Sequence, residues 1–308
     1  MIKIEISLFV FLCISLVSYC QPAKPVLYKD FIFSKINIDK DLTYFPERPS
    51  TTKARDYRFD FYQASEDNSL ARPLIIWMHG GGFKFGSKRA KGIRLWTRSF
   101  AQRGYACAGI NYRLSKKNPI RNFKALVKGC YEASQDVKQA VGYFKKNHSQ
   151  YRIDTNKIIL AGNSAGAIIA LQAVYGTDSG LLALLNDEAF DKPSGVERRV
   201  NIAGIINFWG AMFNTNWLMN AKVPIVSAHG DRDRIVAYKH KETPMYGSYL
   251  IHQKADSLQI PNHLKTYTDY GHELQKHFIP ILRSAGTKRR WLDAGKTAAD
   301  FLYEQLLH

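Results

Sequence analysis

Residues 157–175 read Lys157-Ile158-Ile159-Leu160-Ala161-Gly162-Asn163-Ser164-Ala165-Gly166-Ala167-Ile168-Ile169-Ala170-Leu171-Gln172-Ala173-Val174-Tyr175. The first five residues form a short apolar run of strand length. The last eleven are apolar nearly all round, the pattern of a helix buried on every side. Between them stands Gly162-Asn163-Ser164-Ala165-Gly166, a G-x-S-x-G pattern. A serine on a sharp strand-to-helix turn points its hydroxyl out of the sheet. Such a turn is crowded, so glycine is needed two residues to either side. The helix N-terminus that follows favours negative charge near the hydroxyl. Ser164 is therefore the candidate nucleophile, and a tight turn bearing a surface serine is the plainer alternative.

The same strand pattern recurs at Leu74–Met78, Tyr105–Tyr112, Ile202–Trp209, Pro224–Ala228 and His263–Tyr267. These runs are continuously apolar more than alternating, as expected when both faces of a sheet are covered. Helical patterns separate them, which predicts a largely parallel α/β sheet. Ala133, Val137, Ala140, Val141 and Phe144 share one helix face. Residues 298–307 read as a closing helix. Residues 175–199 lack periodicity and are the candidate insertion over the site. Residues 22–61 are expected to supply edge strands of unassigned order.

The second chemical signal is His79-Gly80-Gly81-Gly82-Phe83, directly after the strand at Leu74–Met78. Adjacent glycines let backbone N–H groups approach a ligand oxygen without interference from Cβ. Donors of this kind stabilise an oxyanion, each worth ~2.7–4 kcal/mol in the transition state. The run satisfies neither phosphate-binding glycine pattern, G-x-G-x-x-G or G-x-x-x-x-G-K-[ST].

Together HGGGF and GNSAGA resemble the α/β-hydrolase esterases and lipases, in particular the branches similar to hormone-sensitive lipase and to bacterial feruloyl esterases. Asn111-Tyr112-Arg113-Leu114 resembles the same group, and the resemblance extends from about Tyr57 to the C-terminus. It implies the α/β-hydrolase fold: a mostly parallel eight-stranded sheet with helices on both faces. It also implies a triad in the chain order serine, acid, histidine. His229-Gly230-Asp231-Arg232-Asp233-Arg234-Ile235-Val236 is similar to the family's H-G-x-x-D-x-x-V, which selects Asp233, with Asp231 as rival. Tyr270-Gly271-His272-Glu273 resembles the family's terminal G-H, which selects His272 over His263 and His277. The oxyanion hole then consists of the amides of Gly81, Gly82 and Ala165. His272 and His277 are five residues apart, ~140° around a helix, which is a poor pair of zinc ligands. The resemblance implies a serine carboxylesterase acting through an acyl-enzyme, with no metal or organic cofactor. Short acyl esters and plant-polymer acetyl or feruloyl esters are the expected substrates. An amide-cleaving enzyme of the same fold and a catalytically silent binding protein are the rival readings.

The chain has 308 residues, 45% of them hydrophobic and 11 of them proline, which excludes a disordered chain, a collagen or a low-complexity array. Ser7–Ser18 is an apolar run of twelve, short of the ~20 residues of a membrane span. It fits the core of a secretory signal over residues 1–20, with a single domain over 21–308. Retention as an N-terminal anchor and lipidation at Cys20 are the alternatives, and the bulky Tyr19 speaks against the second. Cys107 and Cys130 are read either as one disulfide or as two separate buried thiols. Lys plus Arg number 44 against 26 Asp plus Glu, a net charge of +18. Lys84, Lys88, Arg89, Lys91, Arg94 and Arg98 are read as a solvated helix face, with a basic rim for acidic substrates as the alternative. Lys288, Arg289 and Arg290 are read in the same way. No nucleic-acid motif accompanies either run. Phe208, Trp209, Phe213 and Trp217 are read either as the wall of an acyl pocket or as core. Oligomeric state is left open.

Overall fold

A computed structural model describes residues 24–185, 200–240, 244–277 and 285–308. The expected signal segment lies outside the described residues, as does most of the expected insertion at 175–199. Eight strands form one sheet: β1 (Ile36–Thr43), β2 (Arg58–Ala64), β3 (Arg72–Met78), β4 (Ala106–Ile110), β5 (Ile153–Asn163), β6 (Gly204–Phe208), β7 (Ile225–Gly230) and β8 (Asn262–Tyr267). The helices are α1 (Lys91–Ala101), α2 (Phe123–Lys146), α3 (Ala165–Tyr175), α4 (Asp178–Leu185), α5 (Ser248–Ser257) and α6 (Thr287–Leu302), with shorter turns between.

The strand order is β1-β2-β4-β3-β5-β6-β7-β8. β1 and β2 pair antiparallel, as do β2 and β4, and every other pairing is parallel. The parallel strands therefore end along one edge, with Met78 level with Gly162 and Asn163 level with Phe208. This is the α/β-hydrolase fold. Ligands of open α/β sheets bind at the carboxyl ends of the strands, and every candidate site residue falls there.

Burial explains the unbroken apolar runs. In β3, Leu74, Ile76 and Met78 face one core, shared with α2 and α3. Ile75 and Trp77 face the other, shared with α1 and α6. All five are fully buried. α3 buries ten of its eleven residues, because it lies between the sheet and α2. α2 begins at Asn122, whose Oδ1 accepts from the Ala125 amide at 2.9 Å, and its face of Ala133, Val137, Ala140, Val141 and Phe144 is buried.

Several sequence expectations are corrected. The closing helix starts at Thr287 and ends at Leu302, with wider turns over Tyr303–Leu307. Its basic first turn hides the start, yet Arg290 is no solvated cation: its Nε donates to the Leu274 carbonyl at 2.7 Å. Lys88 precedes α1 and is buried against Asp60, with Asp41 at 2.9 Å. Cys107 and Cys130 are both free and belong to the cores on opposite faces of the sheet, so no disulfide joins them. Within 175–199, α4 packs Leu181 and Leu185 into the core on α2's side of the sheet. Phe208 and Trp209 are fully buried with Trp96, and Phe213 packs edge-on against Phe123 at 5.8 Å. These three are core.

Candidate active site

Ser164 occupies the single residue between β5 and α3, with φ 53° and ψ −120°. A non-glycine residue in that region is strained. The strain is held by the Ser164 amide, which donates to the Phe208 carbonyl of the neighbouring strand at 2.9 Å. The flanking glycines are required by contact. A Cβ at Gly162 would stand 2.3 Å from the Gly166 carbonyl carbon, and one at Gly166 would stand 2.1 Å from the Met78 oxygen. The elbow can therefore press against the end of β3 only with glycine at both positions.

β7 ends at Gly230, and the loop after it turns Asp233 inward. Asp233 Oδ1 accepts from the amides of Ile235 and Val236 at 2.8 and 3.0 Å. Its Oδ2 accepts from His272 Nδ1 at 2.7 Å. His272 Nε2 in turn accepts from the Ser164 hydroxyl at 3.0 Å. Ser164, Asp233 and His272 are all buried, with relative exposures of 8%, 6% and 5%. Asp231 is exposed, and its carboxylate accepts instead from the Asp269 amide at 2.8 Å. His263 and His277 are exposed and away from this chain of bonds. His272 rides on a short turn, His272–Leu274, not on the regular helix that a zinc motif would need. α6 pins that turn: Trp291 Nε1 donates to the Glu273 carbonyl at 2.8 Å, and Arg290 reaches the Leu274 carbonyl.

A buried network that local sequence reading misses supports the acid from behind. His229 Nε2 lies 3.0 Å from the Val236 carbonyl and 3.3 Å from Asp233 Oδ2. Both neighbours are acceptors, so this nitrogen carries a proton. His229 Nδ1 then accepts from the Ser248 hydroxyl at 2.7 Å. Asn207 Nδ2 donates to Ser248 Oγ and Ser227 Oγ at 3.1 and 2.8 Å. Ser227 donates onward to His252 Nε2 at 2.7 Å, and His252 Nδ1 donates to Asn262 Oδ1 at 2.6 Å. Burial alone would raise the Asp233 carboxyl. Hydrogen bonds from His229 and His272 outweigh it and hold the group well below the usual carboxylate range.

The glycine turn after β3 faces this group. Gly81 and Gly82 have φ of 119° and 58°. At Gly81 a Cβ would stand 2.3 Å from the Phe85 oxygen. The Gly80 amide donates to Asn163 Oδ1 at 3.2 Å, which ties the turn to the elbow. His79 Nδ1 donates to the Gly80 carbonyl at 2.7 Å. Burial pushes its imidazole down to about 4, so it donates as the neutral form. Tyr112 stacks on the His79 ring at 4.4 Å and donates to its carbonyl at 2.7 Å. This gives the Asn-Tyr-Arg-Leu stretch a physical task. Among the described residues, no acceptor takes up the amides of Gly81, Gly82 or Ala165.

The BD-FAE family model matches residues 59–220. The chain is 30% identical to gut esterase 1 of Caenorhabditis elegans over 116 residues, which are 37% of this chain and 20% of the relative. It is 26% identical to the probable carboxylic ester hydrolase LipM of Mycobacterium tuberculosis over 178 residues, 58% of this chain and 36% of the relative. It is 25% identical to arylacetamide deacetylase of Oryctolagus cuniculus over 273 residues, 74% of this chain and 66% of the relative. The chain thus spans a fifth to about a third of the length of the first two. Among solved structures it is similar to an esterase from Thermogutta terrifontis, with a TM-score of 0.58, 16% identity, and coverage of 86% of this chain and 91% of that one.

Proposed function

The chain belongs to the BD-FAE family, and from that premise we propose that it is a secreted serine carboxylesterase. The observation that carries this reading is the hydrogen-bonded line from Ser164 through His272 to Asp233, beside three uncommitted amides. His272 takes the proton of Ser164 as its oxygen attacks an ester carbonyl. The developing oxyanion is held by the amides of Gly81, Gly82 and Ala165. Asp233 keeps the His272 tautomer and stabilises the imidazolium that forms. His272 then gives its proton to the leaving alcohol. Water, deprotonated by the same histidine, releases the acid from the acyl-enzyme.

The names of two matched relatives, a gut esterase and a probable carboxylic ester hydrolase, support ester chemistry, whereas the third, an arylacetamide deacetylase, names the cleavage of an amide, which is the rival reading. The proposed substrates are short acyl esters or the acetyl and feruloyl esters of plant polymers. Among the described residues no helix is long and apolar enough to cross a membrane. Secretion rests on the apolar run at Ser7–Ser18.

Hydrolysis of p-nitrophenyl acyl esters against matched anilides tests the reading. Esters should be cleaved and anilides spared, and Ser164→Ala should lower kcat by roughly 10⁴-fold or more. A loss below about tenfold would remove Ser164 from the reaction. Faster cleavage of the anilides would make the protein an amidase.

A further inference from the structure

A cavity of about 830 Å³ lies at the same edge of the sheet as Ser164. Its lining comes from the segment before β2, from Lys84 beyond the glycine turn, from residues 113–117 after β4, and from α2. β2 begins where β4 ends, with Phe59 opposite Ile110, and β4 stands two strands from β5. Two strand spacings are about 10 Å, so the strands that carry these walls stand at least that far to the side of β5, the strand before Ser164. Ile120, packed against Gly82, and Phe85, whose carbonyl lies beside Gly81, are both exposed at the glycine turn.

The walls carry seven basic side chains against two acidic ones, Asp56 and Glu132. Arg113 is committed to the buried Asp136 at 2.7 Å, and Arg55 Nε lies 3.7 Å from Asp56. Lys53, Lys84, Lys116 and Lys117 differ. Among the described residues no carboxylate comes within 4.0 Å of their ammonium groups. Lys84 Nζ is instead aimed by the carbonyls of Ser115 and Lys116, at 3.3 and 3.0 Å, which fix its charge without neutralising it. Like charges gathered in a concave wall repel one another and focus an attractive field on anions. The hydroxyls of Thr51 and Ser115 add neutral donors. Among the described residues the wall has no aromatic side chain on which a nucleobase could stack, and Leu114 is its one apolar side chain, little for a peptide to bury. Ammonium and hydroxyl groups together suit a ligand that is charged and rich in hydroxyls.

We propose that this cavity binds the anionic flank of the substrate, an oligosaccharide whose sugars carry carboxylate or sulfate groups and whose acyl ester reaches Ser164. The inference rests on the reading of Ser164 as nucleophile, and it turns the excess of basic residues into a specificity device.

Calorimetric titration of the Ser164→Ala protein separates binding from turnover. The ligands are trigalacturonate, sulfated maltotriose, neutral maltotriose and hexaglutamate. At least one anionic sugar should bind, and the stronger of the two identifies the anion as carboxylate or sulfate. Its affinity should fall as salt rises. In the triple variant Lys53→Ala/Lys116→Ala/Lys117→Ala, folded by circular dichroism, it should fall about tenfold or more. Lys288→Ala/Arg289→Ala removes exposed charge elsewhere and should leave it unchanged. In the Ser164 enzyme, kcat/KM for acetylated trigalacturonate should exceed that for acetylated xylotriose about tenfold, and the triple variant should erase the preference. The proposal is overturned if neither anionic sugar binds, if hexaglutamate binds as tightly, or if the triple variant binds like the parent. Cleavage of the xylotriose ester without anion binding overturns this inference and leaves the esterase reading standing. Anion binding with neither sugar ester cleaved overturns the substrate role; if p-nitrophenyl esters are also left intact, the esterase reading falls with it.

Discussion

Four N–H groups converge on the Asp233 carboxylate, two from the backbone and one each from His272 and His229. The backbone pair fixes its plane, and His229 supports the oxygen that His272 uses. A hydrogen bond to a buried charged group contributes about 1.5–3 kcal/mol. Its loss should let the acid swing and misalign the histidine. His229→Ala is therefore expected to lower kcat by about 10–100-fold with KM nearly unchanged. His229→Gln, which keeps an N–H at similar reach, should recover much of the loss. Steady-state kinetics on a p-nitrophenyl ester checks this, and a His229→Ala enzyme within twofold of the parent would show that the backbone amides suffice. Sequence patterns alone favour Asp233 over Asp231 only by spacing. The structure gives the physical reason, since the 231 carboxylate is exposed and occupied by the Asp269 amide.

At the scale of elements, the stretch from β5 through the elbow to α3 was legible because two independent signals agree there. The hydrophobic period changes from strand to helix, and glycines sit where a Cβ would meet backbone at 2.1–2.3 Å. The central strands were legible because both faces are buried. β1 is half exposed and polar, so its antiparallel place at the edge left no readable pattern. The network behind Asp233 was hidden for another reason: Asn207 and Ser248 are 41 residues apart, and only the packing of α5 against the sheet joins them. That network carries its own prediction. Burial pushes the His252 imidazole down to about 4, against an ordinary value of 6.5. The unfolded chain therefore binds the proton first. The stability owed to neutral His252 is complete above pH 6.5 and is lost as pH falls toward 4. His252→Gln removes this titration. The stability gap between parent and variant, measured by urea unfolding, should shrink by on the order of 3 kcal/mol from pH 7 to pH 4. A gap independent of pH would mean that His252 binds its proton as readily in the fold as in the unfolded chain.

At the scale of the whole molecule, one sheet between two cores brings together three groups contributed by distant parts of the chain, the ends of β5, β7 and β8. Hydrophobic burial on both faces holds that edge rigid while the loops beyond it carry the polar chemistry. The proposal that the N-terminal apolar run is a secretory signal belongs to the same scale. If the proposed secretion is right, N-terminal sequencing of protein from the culture medium should begin at about Gln21, the predicted signal boundary. Intact Met1 on a cell-associated chain would favour an anchor instead. The proposed chemistry requires that Ser164 be made nucleophilic by its neighbours. Labelling with a fluorophosphonate followed by peptide mass mapping tests it most directly: one adduct is expected, on the peptide holding Ser164, and it should be lost in Ser164→Ala and strongly slowed in His272→Gln. Unlabelled protein, or an adduct on another serine, would contradict the account.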